Sequence, residues 1–363
     1  MHVLLVIPTL RGGGAERVFA TLARCLDRAR FKVTLAVVDM QGAVLRDDLP
    51  PDLELVDLGA TRVRYALPRL VSLIRRSKPD VVLSTLGHLN VALAMARFVL
   101  PKGVRTLARE TIVVSHGIRR YRFHLIWAML YRLFYRLHDH VICQSHDMYD
   151  DLVRNFRLPP QQASVIHNPV DVERIRDKAR RSQPAIELAP GRTLLVAAGR
   201  LDYQKGFDLL IEAIRLLDDR SVTVAVLGEG AAKAQLQQQA ERSGVSDQVV
   251  FAGFQDNPYA WYARADAFVL SSRYEGFPNV VLEALACGTP VIATPAPGGA
   301  LEILQDKAGC VVAKSITAHA LAAAIEAWLR SPRNRVGDEV VAPYEVGRIV
   351  SQYEALLESG KSR

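Results

Sequence analysis

Cysteine is scarce and scattered in this chain. Cys25, Cys143, Cys287 and Cys310 are the only four, with no CxxC spacing and no Cys/His grouping. A disulfide framework and a structural zinc site are therefore excluded as organising devices, and the pattern suits a reducing cytosol. Long hydrophobic runs are missing too: no segment approaches the ~20 apolar residues that a spanning helix needs. The opening MHVLLVIPTL is a short apolar run that meets Arg11 and glycines, and reads as a first buried strand rather than a signal peptide. Neither GxGxxG nor GxxxxGK[ST] occurs in the expected setting, so the two commonest phosphate-binding fingerprints do not apply. What is present is a globular composition, 50% hydrophobic and 23% charged, over 363 residues. That length exceeds one comfortable core, so two domains are expected.

Acidic residues are thin in one half only. Residues 1–180 hold 28 Lys/Arg against 17 Asp/Glu, and the remainder holds 18 against 21. The resulting +11 and −3 sum to the net +8 of the whole chain. Such asymmetry points to an anionic partner for the first half: nucleic acid, an anionic membrane surface or a phosphorylated substrate.

Apolar, β-rich runs alternate with helical periodicity from end to end. Residues 3–7, 33–38, 81–84, 105–108, 140–144 and 164–168 read as strands, with helical stretches such as 15–29, 64–77 and 90–99 between them. A second series has strands at 193–199, 222–228, 248–253, 267–272, 290–294 and 310–313, with helices including 206–217 and 231–242. Near-continuous apolar strands joined by helices imply parallel sheets covered on both faces. Residues 171–192 cluster Arg and Asp and then Pro184, Pro190 and Gly191, which reads as a linker. The boundaries predicted are therefore 1–170, a linker at 171–192, 193–344, and a final amphipathic helix within 345–363. The fold class is α/β: two Rossmann-like domains with a cleft between the C-terminal edges of their sheets.

Candidate site residues lie at the strand ends. Gly12, Gly13 and Gly14 follow the first strand and precede a helix, as a tight turn or as a phosphate cradle. In the second half, Arg200 follows a strand and Lys205 precedes the helix-opening Gly206. Two cations there suit a diphosphate, Arg as a fork and Lys as a point charge; singly, each also reads as an exposed loop cation. Gly228 and Gly230 flank Glu229 at the next turn, and Gly253 with Phe254 ends the one after. Phe254 could hold a flat base or pack on a neighbouring helix. Glu275 and Glu283, eight positions apart in EGFPNVVLE, complete the set. Pro278 is tolerated only at or before the first helical turn, so Glu275 is predicted in the loop and Glu283 inside the helix. The turn between them presents backbone N–H groups at a helix N-terminus.

The set GGGAER, HNPVD, GRLDYQKGFDLLIEA, LGEG and EGFPNVVLEALACGTPVIA, in this order along the whole chain, resembles retaining glycosyltransferase family 4, which has the GT-B fold. The resemblance implies a nucleotide-sugar donor, by preference a UDP-sugar, on the C-terminal domain and an acceptor on the N-terminal domain. Arg200 and Lys205 would neutralise the donor diphosphate. Glu283 would bind the ribose hydroxyls, and Glu275 the transferred hexose or N-acetylhexosamine. Backbone N–H groups around Phe277, Asn279 and Val280 would assist, with Gly228, Gly253 and Phe254 nearby. Gly13 and Gly14 would let the first loop close over the diphosphate, and the final helix would pack back on the N-terminal domain. No metal cofactor is implied, and no DxD grouping stands in a suitable loop. The acceptor-side group is open: Arg109-Glu110 occupies the position where many members have a His and an acid, with His88 and His116 as alternatives.

Residues 105–138 carry seven arginines against the single acid Glu110, interleaved with aromatic and aliphatic residues. A basic amphipathic helix reads as a membrane-surface element, and equally as a core helix with snorkelling arginines. The first reading suits a glycan acceptor carried on a polyprenyl diphosphate at the inner leaflet, and a cytoplasmic, peripheral protein. Nucleotide-sugar 2-epimerases of the same fold are the runner-up. A nucleic-acid-binding protein is disfavoured, since it leaves the strand-end set unexplained.

Overall fold

The computed structural model describes residues 1–119, 121–184, 186, 190–332 and 334–359. The chain forms two compact units, one of Met1–Pro169 joined by the segment from Val346 onward, the other of Val170–Glu345. In the first, the strands are β1 (His2–Ile7), β2 (Lys32–Val37), β3 (Glu54–Asp57), β4 (Val81–Thr85), β5 (Arg105–Arg109), β6 (His140–Cys143) and β7 (Ala163–Val165). They pair in parallel in the order β3-β2-β1-β4-β5-β6-β7. Both faces of β1 are buried, as a parallel sheet demands. Val3, Leu5 and Ile7 enter one core cluster, while Leu4 and Val6 enter the cluster on the opposite face. The helix Val346–Glu358 closes the first of these: Ile349, Val350, Tyr353 and Leu357 pack with Val3, Leu5 and Ile7. Arg105 caps its end by donating to the Leu357 carbonyl at 2.8 Å.

The second unit contains β8 (Thr193–Ala198), β9 (Val222–Leu227), β10 (Val249–Gly253), β11 (Ala267–Leu270), β12 (Val291–Ala293) and β13 (Val311–Val312), ordered β10-β9-β8-β11-β12-β13. All pairings are again parallel. Leu194 and Val196 face one cluster, and Leu195 and Ala197 the other. Each sheet reverses its winding once, between β1 and β4 and between β8 and β11. These are the switch points where open α/β sheets hold ligands.

Three elements depart from the sequence reading. The strand β3 is not foreseen, because Glu-Leu-Val-Asp is short, lies at the sheet edge and has exposed acids at both ends. The linker expected at 171–192 begins instead with a helix, Val172–Arg180, N-capped by the Asp171 carboxylate. Its charged faces disguise a single apolar contact line: Ile175 is buried with Val170 in the second unit's core. Of the remainder of that stretch, residues 185 and 187–189 lie outside the described residues. The basic stretch is not one helix. It breaks into Val114–Ile118 and His124–Phe134, and Arg120 lies outside the described residues. Among the described residues, no helix is long and apolar enough to cross a membrane.

Candidate active site

Two loops meet at the switch point of the second unit. The first follows β8 and carries Lys205; the second follows the adjacent β11 and carries Glu275. Lys205 Nζ donates to Glu275 Oε1 at 2.7 Å, and the Ser272 hydroxyl donates to the same oxygen at 2.5 Å. Glu275 is buried, so its charge needs these partners.

The two loops are clasped along their length. Ser271 Oγ donates to the Lys205 carbonyl at 2.8 Å, Arg273 N–H to the Gln204 carbonyl at 2.8 Å, and the Gln204 amide to the Tyr274 carbonyl at 3.0 Å. Arg273 forms a fork on Asp208 at 2.7 and 2.6 Å while its guanidinium lies 4.0 Å from the centre of the Tyr203 ring. Burial alone would raise the Asp208 carboxyl. The hydrogen bonds and charge of Arg273 outweigh it and hold the group below the usual carboxylate range. The pair therefore stays ionised and fixes Lys205 relative to Glu275.

A third segment supports the Glu275 loop from behind. Glu275 N–H donates to the Pro297 carbonyl at 2.8 Å, and Gly299 N–H to the Gly276 carbonyl at 2.7 Å. Gly298 has φ +118°, and a side chain there would meet the Glu275 carbonyl. Beyond the loop, Pro278 sits at the N-cap position of the helix Asn279–Ala286, which contains buried Glu283. Glu275 is thus in the loop and Glu283 one turn into the helix, as the proline position predicts. Asn279 and Val280 form the opening turn of that helix. The Phe277 ring is committed to packing on Tyr344, 5.5 Å between centroids, so only its backbone can serve a ligand.

The remaining strand-end residues divide. Arg200 is well exposed, 4.0 Å from Asp202. Phe254 follows β10 and is half exposed. Gly228 has a structural cause: φ is +132°, and any side chain would collide with the Gly199 carbonyl of the adjacent loop. Gly228 N–H in turn donates to the Gly253 carbonyl at 2.7 Å. Gly228 thus lets its loop stack on the backbone of the Gly199 loop, at the same strand ends where the sequence places the candidate donor-side glycines.

In the first unit, the Gly13 N–H and the Thr9 hydroxyl both donate to the Glu16 carboxylate, which is the half of a capping box that a glycine N-cap allows on the helix Gly14–Cys25. The Gly13 N–H is thereby tied to the first turn of its own helix. Arg109 and Glu110 are both fully buried. Arg109 donates to Tyr353 Oη at 3.1 Å, Thr85 Oγ1 at 3.4 Å and Asn168 Oδ1 at 2.5 Å. Glu110 accepts from Thr111 N–H at 2.8 Å, from Tyr131 Oη at 3.2 Å and from Tyr135 Oη. Burial pushes its carboxyl upward, against those hydrogen bonds. Neither residue can reach an acceptor in this arrangement: Arg109 ties the final helix to the sheet, and Glu110 anchors the helix above it. His88 and His116 stand nearer the surface. His88 is exposed on the first turn of the helix Gly87–Met95, just after β4, at this unit's switch point.

The family described as Glycosyltransferase Family 4 matches residues 12–174, and Glycosyl transferases group 1 matches residues 178–351. The chain is 30% identical over 316 residues to the N-acetylgalactosamine-N,N'-diacetylbacillosaminyl-diphospho-undecaprenol 4-alpha-N-acetylgalactosaminyltransferase of Campylobacter jejuni, covering 83% of each protein. The chain belongs to glycosyltransferase family 4, group 1. This glycosyltransferase is also 40% identical over 122 residues to the lipopolysaccharide core biosynthesis glycosyltransferase LpsE of Rhizobium meliloti, 34% of each chain. In fold it matches Anabaena HepE in complex with UDP, with a TM-score of 0.79 and 20% identity over 99% of this chain and 100% of that one. Its two parallel α/β units are those of the GT-B fold.

The candidate site contains residues that sequence reasoning missed. Ser272, the Asp208–Arg273 fork and the Pro297–Gly299 turn hold Lys205 and Glu275 in place. The Gly298-Gly299 doublet after β12 was the available signal, since paired glycines at a strand end mark close backbone approach. The fork left no signal, because an Asp and an Arg 65 positions apart are ordinary surface residues until folded. Among the described residues, no cluster of three His, Cys, Asp or Glu side chains is arranged to hold a metal ion.

Proposed function

We propose that this glycosyltransferase moves a hexose or N-acetylhexosamine from a UDP-sugar to a glycan or polyprenyl-diphosphate-linked acceptor in surface polysaccharide assembly, with retention of anomeric configuration and without a metal. The observation that carries the reading is the Lys205–Glu275 contact at 2.7 Å at the switch point, with Glu283 on the helix that follows. Cleavage of a sugar–diphosphate bond puts negative charge on the leaving phosphate, and stabilising that charge is the main catalytic task. Lys205 and Arg200 supply fixed positive charge, and the N-terminus of the helix Asn279–Ala286 supplies N–H donors. Glu283 takes the ribose hydroxyls. Glu275 positions the transferred sugar and holds Lys205, and no covalent nucleophile is required of it. The acceptor hydroxyl attacks on the face the phosphate leaves, and that phosphate accepts its proton.

Two relatives support the substrate class. HepE binds UDP, and the Campylobacter jejuni enzyme is named for a diphospho-undecaprenol-linked acceptor. LpsE is named for lipopolysaccharide core synthesis. A cytoplasmic location accords with the scarcity of cysteine. The test is transfer from an α-linked UDP-sugar, followed by proton NMR of the product and repeated with excess chelator. An α-linked product formed at an undiminished rate is expected. A β-linked product contradicts retention, and strict Mn²⁺ dependence contradicts the metal-free mechanism.

A further inference from the structure

The helix His124–Phe134 has a sharply divided surface. On its inner side Tyr131 is buried against Phe156, with centroids 5.5 Å apart, and Tyr131 reaches Glu110 beneath. On its outer side Leu125, Ile126, Met129 and Leu133 form a stripe at helical spacing, and each is between 45% and 74% exposed. Tyr121 and Phe123 extend the stripe in front of the helix, both about half exposed. Among the described residues, fifteen large apolar side chains are exposed, and six of them fall within residues 121–133. A contiguous exposed apolar patch on a folded protein marks a surface with a partner.

Charge identifies the partner. Arg119, Arg122, Arg132 and Arg136 are exposed around the stripe, and residues 111–138 contain no Asp or Glu. The acids on neighbouring elements are turned to other tasks. Glu110 is buried, Asp151 accepts from Ser115 N–H at 2.9 Å, Asp150 pairs with Arg154 at 2.9 Å, and Asp139 binds Thr106 N–H at 2.7 Å. A second copy docking by this same face would set arginines against arginines with no counter-charge. An anionic bilayer supplies both an apolar boundary and the missing negative charge. With 11 residues the helix is roughly 16 Å long, far short of a bilayer core, so it would lie in the interface plane.

We propose that this face docks the enzyme on an anionic lipid bilayer, with Leu125, Ile126, Met129 and Leu133 inserted at the headgroup boundary and the arginines among the lipid phosphates. The proposal deepens the lipid-linked acceptor reading, on which its purpose rests. The inner side of the helix rests on the C-terminal edge of the sheet: Tyr131 contacts Glu110, the residue immediately after β5, and lies against Gly87, next to His88 on the first turn of the helix Gly87–Met95. An acceptor held in the membrane would be delivered to that edge.

Co-sedimentation of the full chain with phosphatidylcholine vesicles, with and without phosphatidylglycerol, tests the docking. Binding that requires phosphatidylglycerol and weakens with salt is expected. Arg119→Glu with Arg122→Glu should weaken it about tenfold or more, and Leu125→Ser with Ile126→Ser and Met129→Ser should do the same. Both variants should keep their melting temperature and their transfer rate to a water-soluble acceptor. That soluble assay reports on the transferase reading separately, so either idea can fail alone. Absence of wild-type binding overturns the proposal, as do variants that bind unchanged. A wild-type dimer in sedimentation velocity that the apolar variant dissolves, without vesicle binding, overturns it in favour of self-association.

Discussion

Lys205→Ala is expected to lower kcat by roughly 10²–10³-fold, the range seen when one preorganised group facing a developing anion is removed. The fold should survive. Lys205 lies in a loop at the sheet edge, its backbone is held through Ser271 rather than through its own ammonium, and Glu275 retains the Ser272 hydroxyl. Lys205→Arg restores positive charge but not the compact ammonium that fits Glu275, so it should recover only part of the rate. Steady-state kinetics with thermal melts of each variant make the comparison. An Ala variant that turns over at the wild-type rate removes Lys205 from catalysis. A variant that fails to fold is separated from this by its melt, and Lys205→Arg then carries the test.

Arg109→Ala is expected to destabilise the first unit by about 3 kcal/mol, the upper end of what orphaned buried acceptors cost. Its guanidinium is enclosed and donates to Tyr353, Thr85 and Asn168 together. Tyr353 is on the final helix, Thr85 ends β4, and Asn168 precedes the break between units. One side chain thus pins three distant parts of the sequence. Because two units need not unfold in a single step, hydrogen exchange is the cleaner readout. Exchange across Val346–Glu358 should accelerate in the variant, while Phe207–Leu217 in the other unit should keep its wild-type protection. Unchanged protection of the final helix contradicts the pinning role. A large loss of activity with intact protection would return Arg109 to the acceptor site.

Periodicity made most of the fold legible. Alternate burial of consecutive apolar residues, as in Val3 to Ile7 and Leu194 to Ala197, is written directly in near-continuous strands. The final helix was equally plain from the spacing of Ile349, Val350, Tyr353 and Leu357. The failures share a cause, which is that charge hides packing. Val172–Arg180 is charged at most positions and reads as a linker, although Ile175 and Val172 pack it on the second unit's core. Arg109 and Glu110, a charged pair at a strand end, read as a site. Folding buries both, because Tyr353, Tyr131, Tyr135 and Asn168 converge from remote sequence. Glycine proved ambiguous for a different reason. Close approach to a ligand and close approach to another backbone require the same missing side chain, and only the structure shows that Gly228 faces Gly199. The Glu275/Glu283 pair was legible because Pro278 fixes where a helix can begin.

The central claim is that the loops after β8 and β11, with the helix Asn279–Ala286, form a nucleoside-diphosphate site. Thermal melting with UDP, GDP and ADP in turn tests it most directly, because a ligand that binds the native state raises its melting temperature. At about 100 times its dissociation constant, a ligand stabilises by roughly 2.7 kcal/mol. The account predicts an upward shift with UDP, smaller or absent with GDP and ADP, and lost in Glu283→Ala. No shift with any nucleotide, or a UDP shift that Glu283→Ala leaves intact, would contradict it.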